Sequence, residues 1–463
     1  MKVWMCVGLW LACAAPTFSQ SLSLRGTIVT PSDVIADGVI SLNGTTITSV
    51  MTAGSQPSSN ALTVDGVIFP GLIDLHNHLT WNALPRWTPL HLFADRYEWQ
   101  ESKEYADALS TPHGQLVRAG YDCDLNRYAE LKAIVNGATA TVGSINNPCI
   151  RGLARNLDFL TELTLNEPLG AEPFRNDIFP FEIHSACGEQ AVRDTGATLE
   201  PCALSSGESP PKVPRTVVAH LGEGVDAAAR REFTMFTAHG YLRPGVSIIH
   251  GVGLRPEHFQ QMAAHGVGLI WSPRSNIELY GTTTNAAAAK SAGVVLAVAP
   301  DWSPSGSTGM LAELAYIDAM RTTHPSIVQF TNKELVEMAT TNPARLAHLN
   351  DHLGKLAPGY AADLILMRKP VGDDVYAALV KQTPADLRLV VIGGTPVFGE
   401  PALMKRLLPT ASLEAITICG QPFAINVQVG TYSQTPWATT ESRLQTALKP
   451  HGLTLAPFVE CMP

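Results

Sequence analysis

The sequence predicts an α/β protein, with an eight-stranded (β/α)8 barrel of the TIM type and a small β-sandwich-like domain built from both ends of the chain. Two patterns predict this architecture. Between residues 67 and 350, short apolar runs that end in a polar residue alternate with helical stretches. On either side lie alternating β-type runs, and turn dipeptides such as Asp37-Gly38 and Asn43-Gly44 separate those near the amino terminus.

The composition is that of a large, loop-rich enzyme. The 463 residues are 45% hydrophobic and 16% charged, with 37 Gly and 33 Pro, which excludes a disordered chain and a coiled coil. The formal net charge of −9 leaves no basic stripe for phosphates, so a general nucleic-acid binder is also excluded. We expect a small-molecule substrate as the partner and leave a homo-oligomer open.

The chain begins with a segment typical of a secretory signal peptide. Lys2 precedes an apolar run over residues 3–15, and the small residues Thr17 and Ser19 follow. The run is shorter than the roughly 20 residues that a membrane span needs, and no later segment qualifies. We therefore expect a secreted or periplasmic protein without a membrane span, with lipid attachment through Cys13 as the alternative.

The remaining segments follow from the change in pattern along the chain. We expect barrel strands at 67–75, 138–142, 178–183, 215–219, 246–249, 267–271 and 294–299, with one more near residue 154. Intervening helices are expected at 227–239 and 256–264. The predicted organisation is a signal peptide at 1–19, the barrel at 67–350, the two parts of the small β-domain at 20–66 and 351–409, and a carboxyl-terminal extension at 410–463.

A pair of histidines after the first predicted barrel strand is the strongest chemical signal. Residues i and i+2 of a strand face the same side, so His76 and His78 point together and can share one metal ion. An HxH pair alone is weak, because many such pairs have no function. The apolar strand before it, introduced by Pro70-Gly71, strengthens the interpretation.

Further polar residues follow other predicted strands. His220 and Glu223 follow one strand, His250 another and Asp301 the last. Active sites of β/α barrels lie at the carboxyl ends of the strands, so these side chains are expected to converge. Three imidazoles and a carboxylate form a coordination set for a divalent transition ion that leaves one position for water. A nearby carboxylate must then accept and return the proton.

At these motifs the chain resembles the amidohydrolase superfamily, closest to the branch of triazine chlorohydrolases and guanine and cytosine deaminases. The resemblance extends to about residue 400 and rests on segments 69–78, 219–223, 249–251, 272–276, 301–305 and 354–364. It implies that one divalent metal ion, zinc by default and iron as the alternative, is held by His76, His78, His220 and Asp301. It further implies a proton-shuttling Glu223, and a His250 that contacts the metal-activated water or the substrate. Glu223, His250 and Asp301 are thus the expected catalytic residues.

The substrate side of the site is predicted less sharply. Trp81, Asn82, Arg274, Asn276 and Trp302 follow catalytic strands or lie in the matching motifs, so we expect them to line the pocket, with loop packing as the alternative. Many relatives carry a histidine at the end of the seventh strand, where this chain has Trp271-Ser272. The predicted fourth strand ends in His184 rather than in the lysine of two-metal relatives, which favours a single metal ion.

Three readings of function therefore stay open. The first is a secreted hydrolase that cleaves a non-peptide carbon–nitrogen bond through a metal-activated water. The second is a deaminase that releases ammonia from a heterocycle. The third is a catalytically inactive binding protein, which the intact set of predicted catalytic residues disfavours.

Six cysteines follow the signal segment, and an even number in an exported chain permits three disulfides. Nearness in sequence favours Cys187–Cys202, Cys419–Cys461 and Cys123–Cys149, with buried free thiols as the alternative.

Overall fold

The structure is a computed structural model that describes residues 21–54, 60–143, 153–157, 174–178, 216–238, 240–428 and 434–461. Its largest sheet has nine strands, in the order β16-β17-β15-β14-β13-β4-β1-β2-β3. The chain supplies β1–β4 from its amino-terminal part and β13–β17 from its carboxyl-terminal part. Their bounds are β1 Ser21–Val29, β2 Val34–Asn43, β3 Thr46–Thr52, β4 Leu62–Pro70, β13 Leu364–Met367, β14 Leu387–Ile392, β15 Thr395–Gly399, β16 Glu414–Ile418 and β17 Gln421–Ile425.

This sheet joins the two ends of the described chain. The central contact is the antiparallel pairing of β13 with β4, in which Leu364 lies opposite Pro70. The strands β16 and β17 come from the range that we assigned to the carboxyl-terminal extension. They continue the same sheet, because Phe398 of β15 pairs with Ile425 of β17.

The other eight strands of the described residues are parallel and form two sheets. One has the order β5-β6-β7 and the other the order β12-β11-β10-β9-β8. An isolated parallel bridge between Asn77 and Asp301 connects the end of β5 to the end of β12. Within the described ranges, no ladder joins β7 to β8. The bounds are β5 Leu72–Asp74, β6 Ala138–Thr141, β7 Arg155–Asn156, β8 Phe174–Ile178, β9 Thr216–Leu221, β10 Val246–His250, β11 Gly268–Trp271 and β12 Leu296–Val298.

Helices lie between β5 and β6 and between successive strands from β9 to β12, and they pack against the sheets. Every residue of β6, β9, β10 and β11 is buried, as expected for parallel strands that are covered on both faces. The helices are α1 Arg96–Glu101, α2 Lys103–Tyr105, α3 Thr111–Arg118, α4 Asp122–Val135, α5 Ala227–Ala238, α6 Pro256–Ala264, α7 Pro273–Tyr280, α8 Ala286–Ala292, α9 Met310–Thr323, α10 Asn332–Ala339, α11 Thr341–Leu346, α12 Ala377–Val380, α13 Pro401–Leu407 and α14 Trp437–Leu448. A short 3-10 helix, Leu79–Ala83, directly follows His78.

The predicted first barrel strand, 67–75, is wrong in one respect. The structure divides it at Gly71 into β4, which belongs to the nine-stranded sheet, and β5, which belongs to the barrel strands. A Cβ atom on Gly71 would lie 2.1 Å from the Thr139 hydroxyl oxygen, so a larger residue does not fit where the chain passes from one sheet to the other. The apolar residues on both sides of Gly71 hid this division.

Several other predictions fall partly outside the described residues. These are the signal segment, the strand 178–183 beyond Ile178, His184, and Cys149, Cys187 and Cys202. The described strand in that region is β8, which ends at Ile178. The predicted disulfide Cys419–Cys461 is present. Among the described residues, no helix is long and apolar enough to cross a membrane.

Candidate metal centre

Four predicted ligands lie at the carboxyl ends of three parallel strands. His76 follows β5, His220 is the fifth residue of β9, and Asp301 follows β12. Parallel strands place these ends at one edge of the sheet, so side chains far apart in sequence meet there. The backbone joins the first and last strands at this edge, where His78 donates to the carbonyl of Asp301 and Asp301 donates to that of His76.

The ligand atoms converge at short distances. His76 Nε2 lies 3.2 Å from His220 Nε2 and 3.2 Å from Asp301 Oδ1, and His78 Nε2 lies 3.4 Å from the same carboxylate oxygen. Nitrogen and oxygen ligands about 2.0–2.1 Å from a zinc ion at a tetrahedral centre lie about 3.3–3.4 Å apart. The spacing of these four side chains therefore fits one divalent metal ion.

Burial supplies the protonation state that metal binding needs. His76 and His220 are buried, and burial holds the pKa of both imidazoles well below the usual range, with neighbouring histidines adding to the effect. His78 is the exception, since its side chain is 21% exposed whereas that of His76 is fully enclosed. The open side of the centre is therefore at His78.

Hydrogen bonds from neighbouring helices orient the site. His76 Nδ1 lies 3.0 Å from the hydroxyl oxygen of Ser272, which leaves Nε2 free for the metal ion. The Ser275 hydroxyl donates to Asp301 Oδ2 at 2.6 Å, so only Oδ1 faces the histidines. Both serines lie at or next to the start of α7, directly after β11.

Glu223 lies beside the ligands without being one of the four. Its Oε1 accepts a hydrogen bond from the Tyr280 hydroxyl at 2.7 Å, and its Oε2 lies 3.7 Å from His250 Nε2. Burial raises the pKa of Glu223 to about 7, although the positive charge of Arg96 opposes this effect. A carboxyl group of this kind can both take up and release a proton near neutral pH.

A buried ion pair fixes the loop that carries Glu223. Glu232 of α5 accepts from Arg96 Nε at 3.2 Å and from the Tyr97 hydroxyl at 2.5 Å, and its second oxygen accepts from the Gly222 amide at 2.6 Å. The Arg96 amide in turn donates to the Glu223 carbonyl at 3.0 Å. Helices α1 and α5 therefore hold the Glu223 loop from both sides.

His250 is oriented by Asn276. Its Nδ1 lies 2.9 Å from the side-chain oxygen of Asn276, whose amide group donates to Thr283 at 3.1 Å. With the proton on Nδ1, the Nε2 lone pair of His250 faces Glu223. Asn276, predicted to line the pocket, thus contacts a predicted catalytic side chain.

A wall of aromatic rings, formed by Trp81, Trp99, Tyr105 and Trp302, extends from the ligands to Glu223. The Trp302 ring centre lies 5.7 Å from that of His78, and the other three rings of the wall lie 5.6–6.2 Å from Trp302. At the far end, the Trp99 indole donates to the Tyr280 hydroxyl at 2.8 Å. These spacings are typical of packed aromatic pairs.

Asn82 and Arg274, which we predicted to line the pocket, form hydrogen bonds and ion pairs with other parts of the protein. The Asn82 amide donates to Asn77 and accepts from the Ser303 amide, both at 2.7 Å. Arg274 forms an ion pair with Glu460 at 2.8 Å and lies over the ring of Tyr316. The predicted pocket residues that the structure places in the aromatic wall are Trp81 and Trp302.

Sequence reasoning missed Tyr280, Trp99 and Tyr105. Tyr280 lies 57 positions from Glu223, and nothing local marks it as the partner of that carboxylate. Ser272 was expected directly after a barrel strand, which is the same signal that identified the proposed ligands, but sequence reasoning assigned it no role.

Comparisons with known proteins find similarity to amidohydrolases. Residues 216–397 match the Amidohydrolase family. Over 408 residues the chain is 25% identical to a 5-methylthioadenosine/S-adenosylhomocysteine deaminase of Desulfitobacterium hafniense, covering 81% of this chain and 91% of that protein. It is 23% identical to an 8-oxoguanine deaminase of Pseudomonas aeruginosa over 385 residues, with 74% and 84% covered.

Solved structures agree on the fold. A zinc complex of an atrazine chlorohydrolase from Arthrobacter aurescens superposes with a TM-score of 0.60 at 17% identity, covering 81% of this chain and 95% of that one. The guanine deaminase of E. coli gives 0.59 at 15% identity, with 81% and 99% covered. The parallel strands therefore belong to a TIM-barrel-like domain.

Proposed function

We propose that this chain, a metal-dependent hydrolase of carbon–nitrogen bonds in the amidohydrolase superfamily, is a deaminase that releases ammonia from an amino-substituted aromatic heterocycle. The observation that carries the proposal is the aromatic wall between the open side of the ligand set and Glu223. Flat rings stack favourably on such a surface. The deaminase relatives support the choice of reaction.

We assign the steps of the reaction to the side chains around the proposed metal ion. A bound divalent ion, which we propose to be a single zinc with iron as the alternative, supplies a Lewis acid and lowers the pKa of a coordinated water. Glu223 takes a proton from the attacking water through Oε2, while Tyr280 holds Oε1. The oxygen–carbon bond forms, the carbon–nitrogen bond breaks, and Glu223 returns the proton to the departing nitrogen.

The other side chains prepare this transfer. His250 presents its Nε2 lone pair on the side of Glu223, so it can accept a hydrogen bond from the water and fix its direction. Trp81 and Trp302 hold the flat substrate beside His78 and exclude bulk water. Arrangement of this kind contributes through positioning and preorganised charge.

Hydrolysis of an amide-type bond, with release of an amine and an acid, is the second candidate. Ser272 favours it, because its hydroxyl is bonded to His76 and stands where many relatives carry a histidine. The substrate recognition of purine and pyrimidine deaminases therefore does not carry over directly to this chain.

Product analysis separates the two reactions. The zinc-loaded protein is incubated with 5′-methylthioadenosine, adenosine, guanine and 8-oxoguanine, and in parallel with amides of aromatic amines. Ammonia from a heterocycle, lost in Glu223→Gln, is the expected result. Amine and acid from the amides, without ammonia from any heterocycle, would favour the second candidate.

We also propose that the protein is exported. The support is the apolar run after Lys2 and the disulfide Cys419–Cys461, since such bonds persist in oxidising compartments. Expression in the native cell with a carboxyl-terminal epitope tests this. Epitope in the medium or periplasm is expected, and retention in the reducing cytosol would contradict export.

A further inference from the structure

A buried lysine behind the metal centre has no role in the chemistry described so far. Lys132 lies in the third turn of α4 and is 1% exposed. Burial lowers the pKa of its ammonium group to about 7. Among the described residues, no carboxylate lies within ion-pair distance of Lys132 Nζ. Burying such a group without a paired charge is costly, so an apolar residue would stabilise the helix packing more.

The ammonium group connects two segments that carry metal ligands. Lys132 Nζ donates to the backbone carbonyl of Asn82 at 3.0 Å and to the Ser303 hydroxyl at 2.8 Å. Asn82 lies in the 3-10 helix that directly follows His78, and Ser303 lies two residues after Asp301. Lys132 thus binds both sides of the junction between β5 and β12.

The same junction carries part of the aromatic wall. Trp81 precedes Asn82 and Trp302 precedes Ser303, and the two ring centres are 5.6 Å apart. The Ser303 amide donates to Asn82 Oδ1 at 2.7 Å, which completes a ring of hydrogen bonds around the lysine. A shift of either segment therefore moves a ligand and a wall residue together.

We propose that Lys132 is a positioning residue, which holds the segments after His78 and Asp301 at the separation that metal binding and ring stacking need. It acts through Asn82 and Ser303 and touches neither the metal ligands nor the substrate. The proposal rests on the metal centre but not on the deaminase reaction, because metal affinity is measurable without any substrate.

The test compares Lys132→Met with Arg127→Met on the same helix. Arg127 is equally buried, at 1% exposure, but it donates to Thr440, Val427 and Thr435 in the carboxyl-terminal region. Both variants lose a buried cation, and both are expected to melt at a lower temperature. Zinc affinity is measured by competition with a chromogenic chelator, and thermal unfolding is measured on the metal-free proteins.

Lys132→Met is expected to bind zinc about 10-fold more weakly or worse, as found for residues that orient metal ligands, while Arg127→Met retains the parent affinity. Where a substrate is available, the loss should appear in KM as well, because Trp81 and Trp302 shift. Equal zinc affinity in Lys132→Met and the parent protein, with only a lower melting temperature, would overturn the proposal.

Ser303→Ala keeps the test decisive if Lys132→Met does not fold. It removes one acceptor of the lysine with little change in volume, so a smaller loss of zinc affinity in the same direction is expected. Where both single variants fold, the double variant should bind zinc no more weakly than Lys132→Met, since the two residues act through one contact. Additive losses, or an unchanged affinity in Ser303→Ala, would contradict the assigned route.

Discussion

The roles of Glu223 and Asp301 differ in a way that two isosteric substitutions separate. Glu223→Gln keeps an oxygen for the Tyr280 hydroxyl, and its new amide group replaces Oε2, which lies 3.7 Å from His250 Nε2 and outside hydrogen-bond distance. The shape and the hydrogen bonds of the site therefore survive, and only the proton transfer is lost. Turnover should fall about 10²–10⁴-fold, the usual contribution of general acid–base catalysis.

Asp301→Asn acts on the metal instead. Asp301 Oδ1 lies 3.2 Å from His76 Nε2 and 3.4 Å from His78 Nε2, so it is the one carboxylate oxygen among the four proposed ligands. Replacing it by a neutral amide removes the negative charge that balances the metal ion. Mutating a residue that orients a metal ligand typically lowers metal affinity about 10- to 100-fold. Because Asp301 is a proposed ligand itself, its substitution should lower the metal affinity by more than that.

The assay measures metal stoichiometry by elemental analysis and turnover by ammonia or amine release on the same preparations. Glu223→Gln is expected to hold one metal ion per chain and to be nearly inactive. Asp301→Asn is expected to lose both its metal ion and its activity. A Glu223→Gln protein with full activity would remove Glu223 from the mechanism. One that loses its metal would make Glu223 a ligand or a structural residue.

Three further experiments test the orientation of Glu223, the dependence on the metal ion and the contribution of the disulfide to stability. Tyr280→Phe removes a hydrogen bond to the Glu223 carboxylate, so kcat should fall about 10-fold or more while metal content is unchanged; an unaltered kcat would contradict this orienting role. Removing the metal with a chelator should abolish activity and lower the melting temperature, and added zinc should restore both, because ligands bound only by the native state stabilise it. Paired Cys419→Ser and Cys461→Ser substitutions open a link across 42 residues and should reduce the free energy of unfolding by about 4 kcal/mol, measured by denaturant titration; an unchanged midpoint would exclude this contribution.

The sequence predicted those parts of the fold that local patterns determine. Helices α5 and α6 lie where the apolar spacing placed them, because each has a periodic apolar pattern with clear ends. The passage from β4 to β5 was not predictable in this way. Residues 66–73 are all buried and uncharged, so they form one continuous run, and only the three-dimensional contact of Gly71 with Thr139 divides it.

The convergence of the proposed ligands was predictable for a related reason. His76 and Asp301 follow strands and His220 lies near the end of one, and a β/α barrel places the carboxyl ends of its strands together whatever the distance in sequence. The orienting contacts were not predictable, because Tyr280 and Lys132 reach the site from helices whose rotation depends on packing. The prediction for Asn82 shows the same limit, because its side-chain amide forms hydrogen bonds with Asn77 and Ser303 that the sequence does not reveal.

Two residues of the site have backbone conformations that are unfavourable by themselves. His250 and Asp301 have φ angles of 65° and 68°, in the left-handed region that non-glycine residues rarely adopt and that costs roughly 1–2 kcal/mol for each. Both residues are buried at the ends of parallel strands, where the turn directs their side chains to the proposed centre. Glycine would relieve this strain but would remove the imidazole and the carboxylate. The surrounding contacts, such as those of Asn276 with His250 and of Ser275 with Asp301, therefore keep a conformation that is unfavourable by itself and that suits the proposed metal site.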